Sequence, residues 1–303
     1  MNEESKILSL AKDALEKKLL LPSARENICA WAGSGVLPEW ALKSVLELFE
    51  KGAFEELNDR FFKTLEFGTA GMRGRTIGKV CAASELGKVS EFGTPQNPAV
   101  GSNCMNDFNV ARATLGLFKY CKEWCDKNSL GAPSLVIACD VRHFSKHFCE
   151  LAASIWAKLG GKVKIFDGPR STPQLSYTVI KDGAIAGIVI TASHNPACDN
   201  GYKVYFSDGA QITSPHAEGI VSCVNSVSLS DIKEFLGADL SRVGVVEKSL
   251  EEAYIKSLED CVIDKGIMRA NAPKIVFTPV HGTGAVLCPE VMRHFGLEPI
   301  LQE

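Results

Sequence analysis

The chain has 303 residues, of which 46% are hydrophobic and 23% are charged, an ordinary globular composition that predicts a large core and two domains. The formal net charge is −3 and the basic residues are scattered, which argues against nucleic acid or an anionic membrane as a partner. Apolar runs are far shorter than the roughly 20 residues that span a bilayer, and the N-terminus lacks the apolar core of a signal peptide.

The first 60 residues predict helices over 4–20 and 38–50, the second of which ends before Gly52. The glycine-rich segment FGTAGMRGR, residues 67–75, follows. Residues 76–103 are rich in loop-forming residues and predict little regular structure. The pattern after them predicts a helix over 108–125, for which Asn106 or Asp107 is the N-cap.

Residues 134–191 alternate between strand and helix patterns. Strands are predicted over 134–140, 162–167 and 184–191, separated by a helix over 147–161 and a loop with a short helix over 168–183. The strands are almost continuously apolar, which is typical of a mostly parallel sheet covered by helices on both faces. The predicted fold class is therefore α/β, with three α/β/α layers around a mixed, mostly parallel sheet.

Two dipeptides after Ser193 are turn signals. Asn200-Gly201 and Asp208-Gly209 bracket a short strand, so we predict a hairpin extension of the sheet. Residues 215–260 mix helix and loop patterns, and 274–303 predict the start of a second β-α-β unit.

The domain prediction follows from these elements. We expect an N-terminal helical extension over 1–60, a first α/β/α domain over 61–225, a helical connector over 226–270 and the incomplete start of a similar domain over 271–303. A strand edge and an apolar face would be left uncovered there, which predicts that the chain is a shortened form of a larger protein.

The eleven cysteines show no metal-ligand spacing. No CxxC pair occurs, and Cys121 and Cys125 lie four residues apart on one face of a predicted helix. An odd count without a signal peptide favours reduced, buried thiols in a cytoplasmic protein over a zinc site.

Candidate functional residues follow the predicted strands. Ligands of open α/β sheets bind beyond the carboxyl ends of the strands, where we expect Asp140, the GPRSTP loop and Ser193 to converge. The glycine-rich segment could add backbone amides and the guanidinium of Arg73 to form an anion site.

Ser193 has two interpretations from the residues alone. It is either a loop serine that satisfies backbone groups, or a nucleophile or phosphorylated carrier. The hydrolase elbow GxSxG is absent, because Asn195 stands where its second glycine would be. Neighbouring His194 and Lys203 favour a phosphoryl group, although for Lys203 taken alone the favoured interpretation is a solvated strand lysine. His281, in PVHGTG, is either a loop histidine or part of a ligand site.

Four motifs together resemble one family. TASHNP and NGYKVY, preceded by FGTAGMRG and DVRHFS, resemble the α-D-phosphohexomutases, which include phosphoglucomutase and phosphomannomutase. With FTPVHGTG the pattern is most similar to the phosphoglucomutase/phosphopentomutase-type branch. The resemblance covers roughly residues 45–303, within which 76–103 looks like an insertion, and corresponds to the N-terminal portion of the family's four-domain fold.

The resemblance implies an intramolecular phosphotransferase that interconverts sugar 1-phosphates and 6-phosphates, or 5-phosphates of a pentose, in carbohydrate metabolism. Ser193 would be the phosphorylated carrier, and a sugar bisphosphate such as glucose 1,6-bisphosphate would be the intermediate and activator. Lys203 would be the general acid/base and Arg73 would stabilise charge near the phosphoserine. The phosphate-loop residues would be His194, Asn195, Thr69, Gly71 and Arg142, and Asp140 with Arg142 would brace the loop that holds Ser193.

The resemblance also implies Mg²⁺, held by an aspartate loop of the form DxDxDR and by a phosphoserine oxygen. No DxDxDR occurs in this sequence, so Ser193 is the one candidate metal ligand, through its phosphate. We therefore expect a shortened phosphohexomutase without the metal and sugar loops. The alternatives are a non-catalytic phosphoserine carrier or binding module and, less favoured, a serine hydrolase. The residues indicate neither the preferred sugar phosphate nor the oligomeric state.

Overall fold

A computed structural model describes residues 2–264, 266–271 and 273–302. The N-terminal region is helical, as predicted. Its helices are α1 (Glu3–Glu16), α2 (Pro22–Ala32), α3 (Glu39–Glu50) and α4 (Phe54–Phe61). The prediction of one helix over 4–20 was too long, because the backbone turns left-handed at Lys18. The chain then starts α2 at Pro22, a residue well suited to the first helical turn.

The next region contains two elements that the sequence pattern did not indicate. They are strand β1 (Gly71–Arg75) and the one-turn helix α5 (Ala83–Leu86). Strand β1 lacks the β-branched residues of a typical strand and is stabilised by pairing with a later strand. Helix α6 (Asp107–Lys127) follows, and the Asn106 side chain accepts a hydrogen bond from the Asn109 amide at 3.1 Å. Asn106 is therefore its N-cap, one of the two predicted candidates.

The predicted alternation of strands and helices is confirmed between residues 134 and 191. The elements of this part and of the segment after it are β2 (Ser134–Cys139), α7 (Ser145–Lys158), β3 (Lys162–Ile165), α8 (Thr172–Asp182), β4 (Ala186–Ile190), β5 (Asp199–Phe206), α9 (His216–Asn225), β6 (Gly244–Val245), α10 (Lys248–Ser257) and α11 (Ile267–Ala270).

These strands form a six-stranded sheet, in the order β1-β5-β4-β2-β3-β6, among the described residues. Strand β2 is parallel to β3 and β4, and β6 is parallel to β3. Strand β5 is antiparallel to both β4 and β1. The predicted mixed, mostly parallel sheet is confirmed. Strand β6 lies within 226–270, the region predicted to be a helical connector. The strand was not predicted because its two residues are too few to show a strand pattern.

Helices cover both faces of the sheet, as the three-layer prediction requires. Helices α6, α7 and α9 pack on one face, and α8 and α10 pack on the other. Strand β5 shows the alternation: Tyr202 and Val204 are fully buried on the first side, and Tyr205 packs on the opposite side. The N-terminal helices extend the first core, where the rings of Trp31 and Phe108 lie 5.4 Å apart.

The prediction of a turn at Asn200-Gly201 was wrong, because both residues lie inside β5. The buried Asn200 side chain donates hydrogen bonds to the His143 carbonyl at 3.0 Å and to Ser145 Oγ at 2.8 Å. A Cβ atom on Gly201 would lie 2.5 Å from the Thr191 carbonyl oxygen. This Asn-Gly pair therefore serves close packing, whereas Asp208-Gly209 does form a turn, in which Gly209 has φ of 74°.

The C-terminal region forms a second β-α-β unit, as predicted. Strands β7 (Ile275–Phe277) and β8 (Pro299–Leu301) are parallel and flank helix α12 (Gly284–His294). Across the described ranges, no helix combines the length and apolar character that crossing a bilayer requires.

Candidate active site

Ser193 lies on the loop that follows β4 and is exposed. Its φ of 55° places it in the left-handed region, which is uncommon for a residue with a side chain. Its amide donates to Thr191 Oγ1 at 2.9 Å, and its carbonyl accepts from Arg142 Nη2 at 2.6 Å. Its hydroxyl makes one contact among the described residues, to His194 Nδ1 at 3.4 Å. The hydroxyl therefore does not satisfy a backbone group, as an ordinary loop serine would.

Arg142 binds this loop through its backbone. Its guanidinium donates to the carbonyl oxygens of Pro196 at 2.7 Å and Asp199 at 3.1 Å, and also to those of Ser193 and Asn195. Four carbonyls on one guanidinium fix the path of the loop, because the planar group presents its donors in a rigid arrangement. In this structure Arg142 braces the loop that carries Ser193.

Asp140 supports the same loop from β2. One carboxylate oxygen accepts from the Arg142 amide at 2.9 Å and from Ser145 Oγ, and the other accepts from Thr191 Oγ1. Asp140 therefore connects the ends of β2 and β4 with the start of α7. The predicted convergence of Asp140 and Ser193 at one sheet edge is thus found in the structure.

The GPRSTP loop does not join them, contrary to expectation. The Arg170 guanidinium is buried and pairs with Glu251 on α10 at 2.7 Å. Since this contact lies with the other helix layer, the loop stabilises the packing of α10 and does not line the cavity beside Ser193.

Arg73 reaches the loop from β1. Its Nη1 donates to Asn195 Oδ1 at 3.1 Å, and Asn195 Nδ2 donates to Asp199 Oδ2 at 3.2 Å. The Arg73 side chain is otherwise exposed. The Arg73 guanidinium is thereby held beside the loop, at Asn195, which is two residues after Ser193.

The two other residues of the glycine-rich segment have different positions. Gly68 and Gly71 exchange backbone hydrogen bonds of 2.8 and 3.2 Å, which leaves Thr69 exposed at the tip of a tight turn. Within the described chain no hydrogen bond joins Thr69 to the Ser193 loop. Gly71 has φ of 119°, and a Cβ atom there would lie 1.8 Å from the Tyr202 carbonyl oxygen. Gly71 therefore lets β1 approach β5 beside Lys203.

Lys203 lies on β5, the second strand from one edge of the sheet, and is paired with Gly71 on β1 and Val189 on β4. Burial lowers its pKa, the charge of Arg73 lowers it further, and Asp140 partly opposes them. Nowhere in the described ranges does its ammonium make a hydrogen bond or an ion pair. Such a lysine gives up its proton more readily than a solvated one.

An open cavity of about 980 Å³ lies against the Ser193 loop. Its walls combine the Ser193 loop with three other segments, residues 90–96, 140–150 and 281–283. Four of the six histidines of the chain line it: His143, His147, His194 and His281. The structure therefore places His281 at a ligand-sized cavity. Arg73 lines a neighbouring cavity of about 570 Å³.

Two parts of this cavity were missed by sequence reasoning. His143 lies inside the motif DVRHFS, but nothing in the sequence indicated that its own side chain would line a cavity. His147 Nε2 lies 2.6 Å from Asp107 Oδ1, a contact between residues 40 positions apart that the sequence does not indicate. Residues 90–96 belong to the loop-rich segment, where neither periodicity nor a motif indicates what the chain contacts.

The described residues do not form a metal site. No group of three or more His, Cys, Asp or Glu side chains within residues 2–264, 266–271 and 273–302 could hold an ion. The nearest carboxylates are already used, because Asp140 accepts three hydrogen bonds and Asp199 accepts one from Asn195. Mg²⁺ requires several oxygen ligands in near-octahedral geometry, so these residues do not fit it.

Comparison with known proteins identifies relatives over most of the chain. The family described as phosphoglucomutase/phosphomannomutase, alpha/beta/alpha domain I, matches residues 91–231. A phosphoglucomutase of Staphylococcus epidermidis is 31% identical over 251 residues, covering 82% of this chain and 40% of the relative. A phosphoglucomutase of Staphylococcus haemolyticus is 32% identical over 265 residues, covering 85% of this chain and 42% of the relative.

Solved structures share the fold. A Thermus thermophilus protein, provisionally described as a phosphomannomutase, has a TM-score of 0.57 at 22% identity and covers 79% of this chain and 45% of its own. The open form of the Paramecium phosphoprotein pp63/parafusin, described as a phosphoglucomutase, has a TM-score of 0.52 at 18% identity, covering 77% and 42%.

The chain spans about 40% of the length of the curated relatives it matches. The matched region contains the Ser193 loop, the Arg142 brace and strand β5, which carries Lys203. The family match, the named relatives and the shared fold agree in supporting the α-D-phosphohexomutase superfamily for this chain.

Proposed function

We propose that this chain carries the phosphoryl-accepting serine of a sugar phosphate mutase, and that Ser193 is that serine. The observation that carries the proposal is the state of Ser193: an exposed hydroxyl on a left-handed residue, held at a large cavity by hydrogen bonds to its own amide and carbonyl. Backbone strain of this kind persists where the surroundings enforce it and is common at functional sites.

The transfer step uses Ser193 Oγ as the nucleophile. Oγ forms a bond to phosphorus of a sugar bisphosphate while the bond from phosphorus to the sugar oxygen breaks. The Ser193 proton passes to a neutral Lys203 amine, and the Lys203 ammonium so formed returns a proton to the departing sugar oxygen, which becomes a hydroxyl. In the reverse direction Ser193 regains its hydroxyl and the sugar is phosphorylated. The two directions together move phosphate between the 1- and 6-positions of a hexose, or the 1- and 5-positions of a pentose.

The charges around the loop suit this step. Phosphoryl transfer depends on positioning and on stabilising negative oxygens rather than on covalent help. Arg73 lies beside the loop through Asn195, and His194 and the Asn195 amide are next to Ser193. Lys203 contributes through its lowered pKa, since the neutral amine that accepts a proton is more populated than in a solvated lysine.

Magnesium is implied by the family resemblance, but the described residues provide no cluster of ligands for it. A phosphate on Ser193 would add a single ligand group, which is fewer than the ion requires. Among the described residues, the side chains proposed for proton transfer and for charge stabilisation are those of Lys203 and Arg73.

The test is transfer to Ser193 itself. The full chain is incubated with Mg²⁺ and glucose 1,6-bisphosphate labelled in its phosphates, and the phosphopeptides are mapped. We expect label on the peptide that contains Ser193 and its loss in Ser193→Ala. The matched control is Ser207→Ala, which removes an exposed hydroxyl from the turn after β5 and should leave labelling unchanged.

Other outcomes would contradict the proposal. Absence of label on the wild-type chain would do so, and so would label that persists in Ser193→Ala. Acylation of Ser193 by a fluorophosphonate would favour a hydrolase instead. A parallel assay of glucose 1-phosphate conversion separates a mutase from a non-catalytic carrier, because a carrier would be labelled without turnover.

A further inference from the structure

The segment between α5 and α6 contains a hydrogen-bonded turn that the proposed mechanism does not use. The Ser90 amide donates to the Thr94 carbonyl at 2.9 Å, and the Thr94 amide donates to Ser90 Oγ at 3.0 Å. Gly93, with φ of 77°, donates to the Ser90 carbonyl at 3.0 Å. These bonds close residues 90–94, here called the Phe92 turn, into one shape with Phe92 near its tip.

The base of the Phe92 turn is anchored. Glu85 accepts the amides of Ala82 at 3.2 Å and Val100 at 3.0 Å, on either side of the turn. Gln96 continues the support, because its Oε1 accepts the Lys88 amide at 2.9 Å and its amide donates to the Leu86 carbonyl at 3.0 Å. A turn held this way at both ends presents its tip in a defined place.

Phe92 is 81% exposed, yet it lines the same cavity as Ser193, His194 and Asn195. A large apolar side chain left in water gains free energy when a ligand covers it. Small-molecule sites typically combine such an apolar surface with a few polar groups that fix orientation. Here the polar groups belong to the Ser193 loop, and Phe92 is the exposed aromatic ring that residues 90–96 bring to the cavity.

A short chain of contacts joins the two walls. Thr94 Oγ1 and His143 Nδ1 lie 2.7 Å apart, in a hydrogen bond. His143 follows Arg142, whose guanidinium holds the Ser193 carbonyl at 2.6 Å. The path from Thr94 to the Ser193 backbone therefore runs through two hydrogen bonds, the side chains of His143 and Arg142 and the peptide unit between those two residues.

We propose that Phe92 packs against the apolar C–H face of the sugar ring whose phosphate is presented to Ser193, and that Thr94 is a positioning residue for it. This inference rests on the proposed function. Aromatic rings present an electron-rich face, which attracts the weakly positive C–H groups of a pyranose. Phe92 would then help to select a cyclic sugar phosphate over a small phosphate lacking a ring.

The test measures binding without transfer. Glucose 1,6-bisphosphate is titrated into the full chain by calorimetry in the presence of EDTA. Phe92→Ala should weaken its affinity roughly three- to tenfold, the range expected for one aromatic contact. Phe92→Tyr, which keeps the ring, should restore the affinity. Inorganic phosphate, which has no apolar face, should bind wild type and Phe92→Ala equally.

Two controls separate contact from disturbance of the loop. Val89→Ala shortens another exposed apolar side chain of the same segment, outside the cavity wall, and should not change the affinity. Thr94→Val should weaken bisphosphate binding and Thr94→Ser should restore it. Both should leave phosphate affinity and thermal midpoint unchanged, which a general folding defect would not.

The outcomes are distinct from those of the labelling experiment. Equal bisphosphate affinity in wild type and Phe92→Ala overturns the inference and would favour a protein surface as the partner of Phe92. Failure of the wild-type chain to bind the bisphosphate overturns it as well. The proposed function, in contrast, fails when Ser193 is not labelled, whatever Phe92→Ala does to binding.

Discussion

At the scale of single residues, Ser193 and Lys203 are set apart by their surroundings rather than by their chemistry. A serine hydroxyl is a weak nucleophile, and a lysine is normally protonated at neutral pH. Ser193 is held in a left-handed conformation with its hydroxyl exposed, and Lys203 has a lowered pKa through burial and Arg73. The proposed roles depend on these local conditions.

Lys203→Met should slow the labelling of Ser193 by about 100-fold or more, the usual contribution of a general base, while bisphosphate affinity changes little. In wild type the labelling rate should rise with pH toward the lowered pKa, because the fraction of neutral amine rises. Rapid-quench labelling between about pH 6 and about pH 9 measures both effects.

Lys162→Met is the matched control, since Lys162 is an exposed lysine of the same sheet, on strand β3, which does not pair with β5. It should label like wild type. A Lys203→Met rate close to wild type, or an unchanged pH profile, would show that another group accepts the proton.

The sequence predicts these residues unevenly. Ser193 and Asp140 were found because each follows a recognisable buried strand, and strand ends define the ligand edge of such sheets. Lys203 and Arg73 were assigned their roles by resemblance, since an isolated cation has no pattern. His143 and Phe92 escaped, because their positions depend on contacts between segments far apart in sequence.

At the scale of elements, a buried ion network joins the N-terminal helices to the segment that carries the Phe92 turn. Arg60 on α4 is fully buried and binds Glu56 at 2.7 Å and Glu85 Oε2 at 3.1 Å. Ser44 on α3 donates to Glu85 at 2.6 Å. Buried charges of this kind are tolerated only when each is paired.

Arg60→Met should therefore destabilise the fold by about 3–5 kcal/mol, because Glu85 would be left buried without its cation and Glu56 would keep Arg75 Nη2, at 3.5 Å, but lose Arg60. Urea unfolding followed by circular dichroism measures the loss. Lys43→Met, which breaks an exposed pair with Glu39, should cause no measurable loss. A small loss for Arg60→Met would mean that the carboxylates become solvated.

The same network predicts a dependence on pH. Burial opposes ionisation of Glu85, but the charge and hydrogen bonds of Arg60 outweigh it and lower the Glu85 pKa below its ordinary 4.5. The stabilisation is thus present above pH 4.5 and is lost as pH falls through the lower folded pKa. The difference in the free energy of unfolding between wild type and Glu85→Gln should therefore decrease as the pH falls from 4.5 through the lower folded pKa of Glu85.

Elements with strong patterns were predicted well, and the exceptions have physical causes. The strands β2 and β4 are continuous apolar runs. Strand β1 depends on pairing with β5, and β6 has two residues. Asn200-Gly201 looked like a turn because local propensity favours one, but burial and the hydrogen bonds of Asn200 keep the pair in a strand.

At the scale of the whole molecule, burial is unevenly distributed. One continuous core runs from the N-terminal helices through α6 to the sheet. The C-terminal unit is different: Leu287 and Leu297 are its buried large apolar residues among the described ranges, whereas Val276 and Ile300 are more than half exposed.

Hydrogen exchange should follow this distribution. Amides of α1 and α6 should be protected to a similar extent, because their residues share one core. Amides of β7 and α12 should exchange faster than those of β2 and β4, since fewer buried contacts oppose local opening. Mass spectrometry of peptides after timed exchange at neutral pH tests this. Equal protection of the two regions would contradict it.

The Arg142 brace has a consequence for how this site can vary. Arg142 contacts the loop through carbonyl oxygens alone, and every amino acid supplies a carbonyl. The shape of the loop is therefore largely independent of the side chains that it displays. A new side chain at position 194 can be tried without refolding the loop, so selection can alter what the site recognises at little structural cost, whereas the side chain of Asn195 is tied to Arg73 and Asp199. A substitution of Arg142, in contrast, would remove the hydrogen bonds that fix the loop backbone, whichever side chains the loop displays.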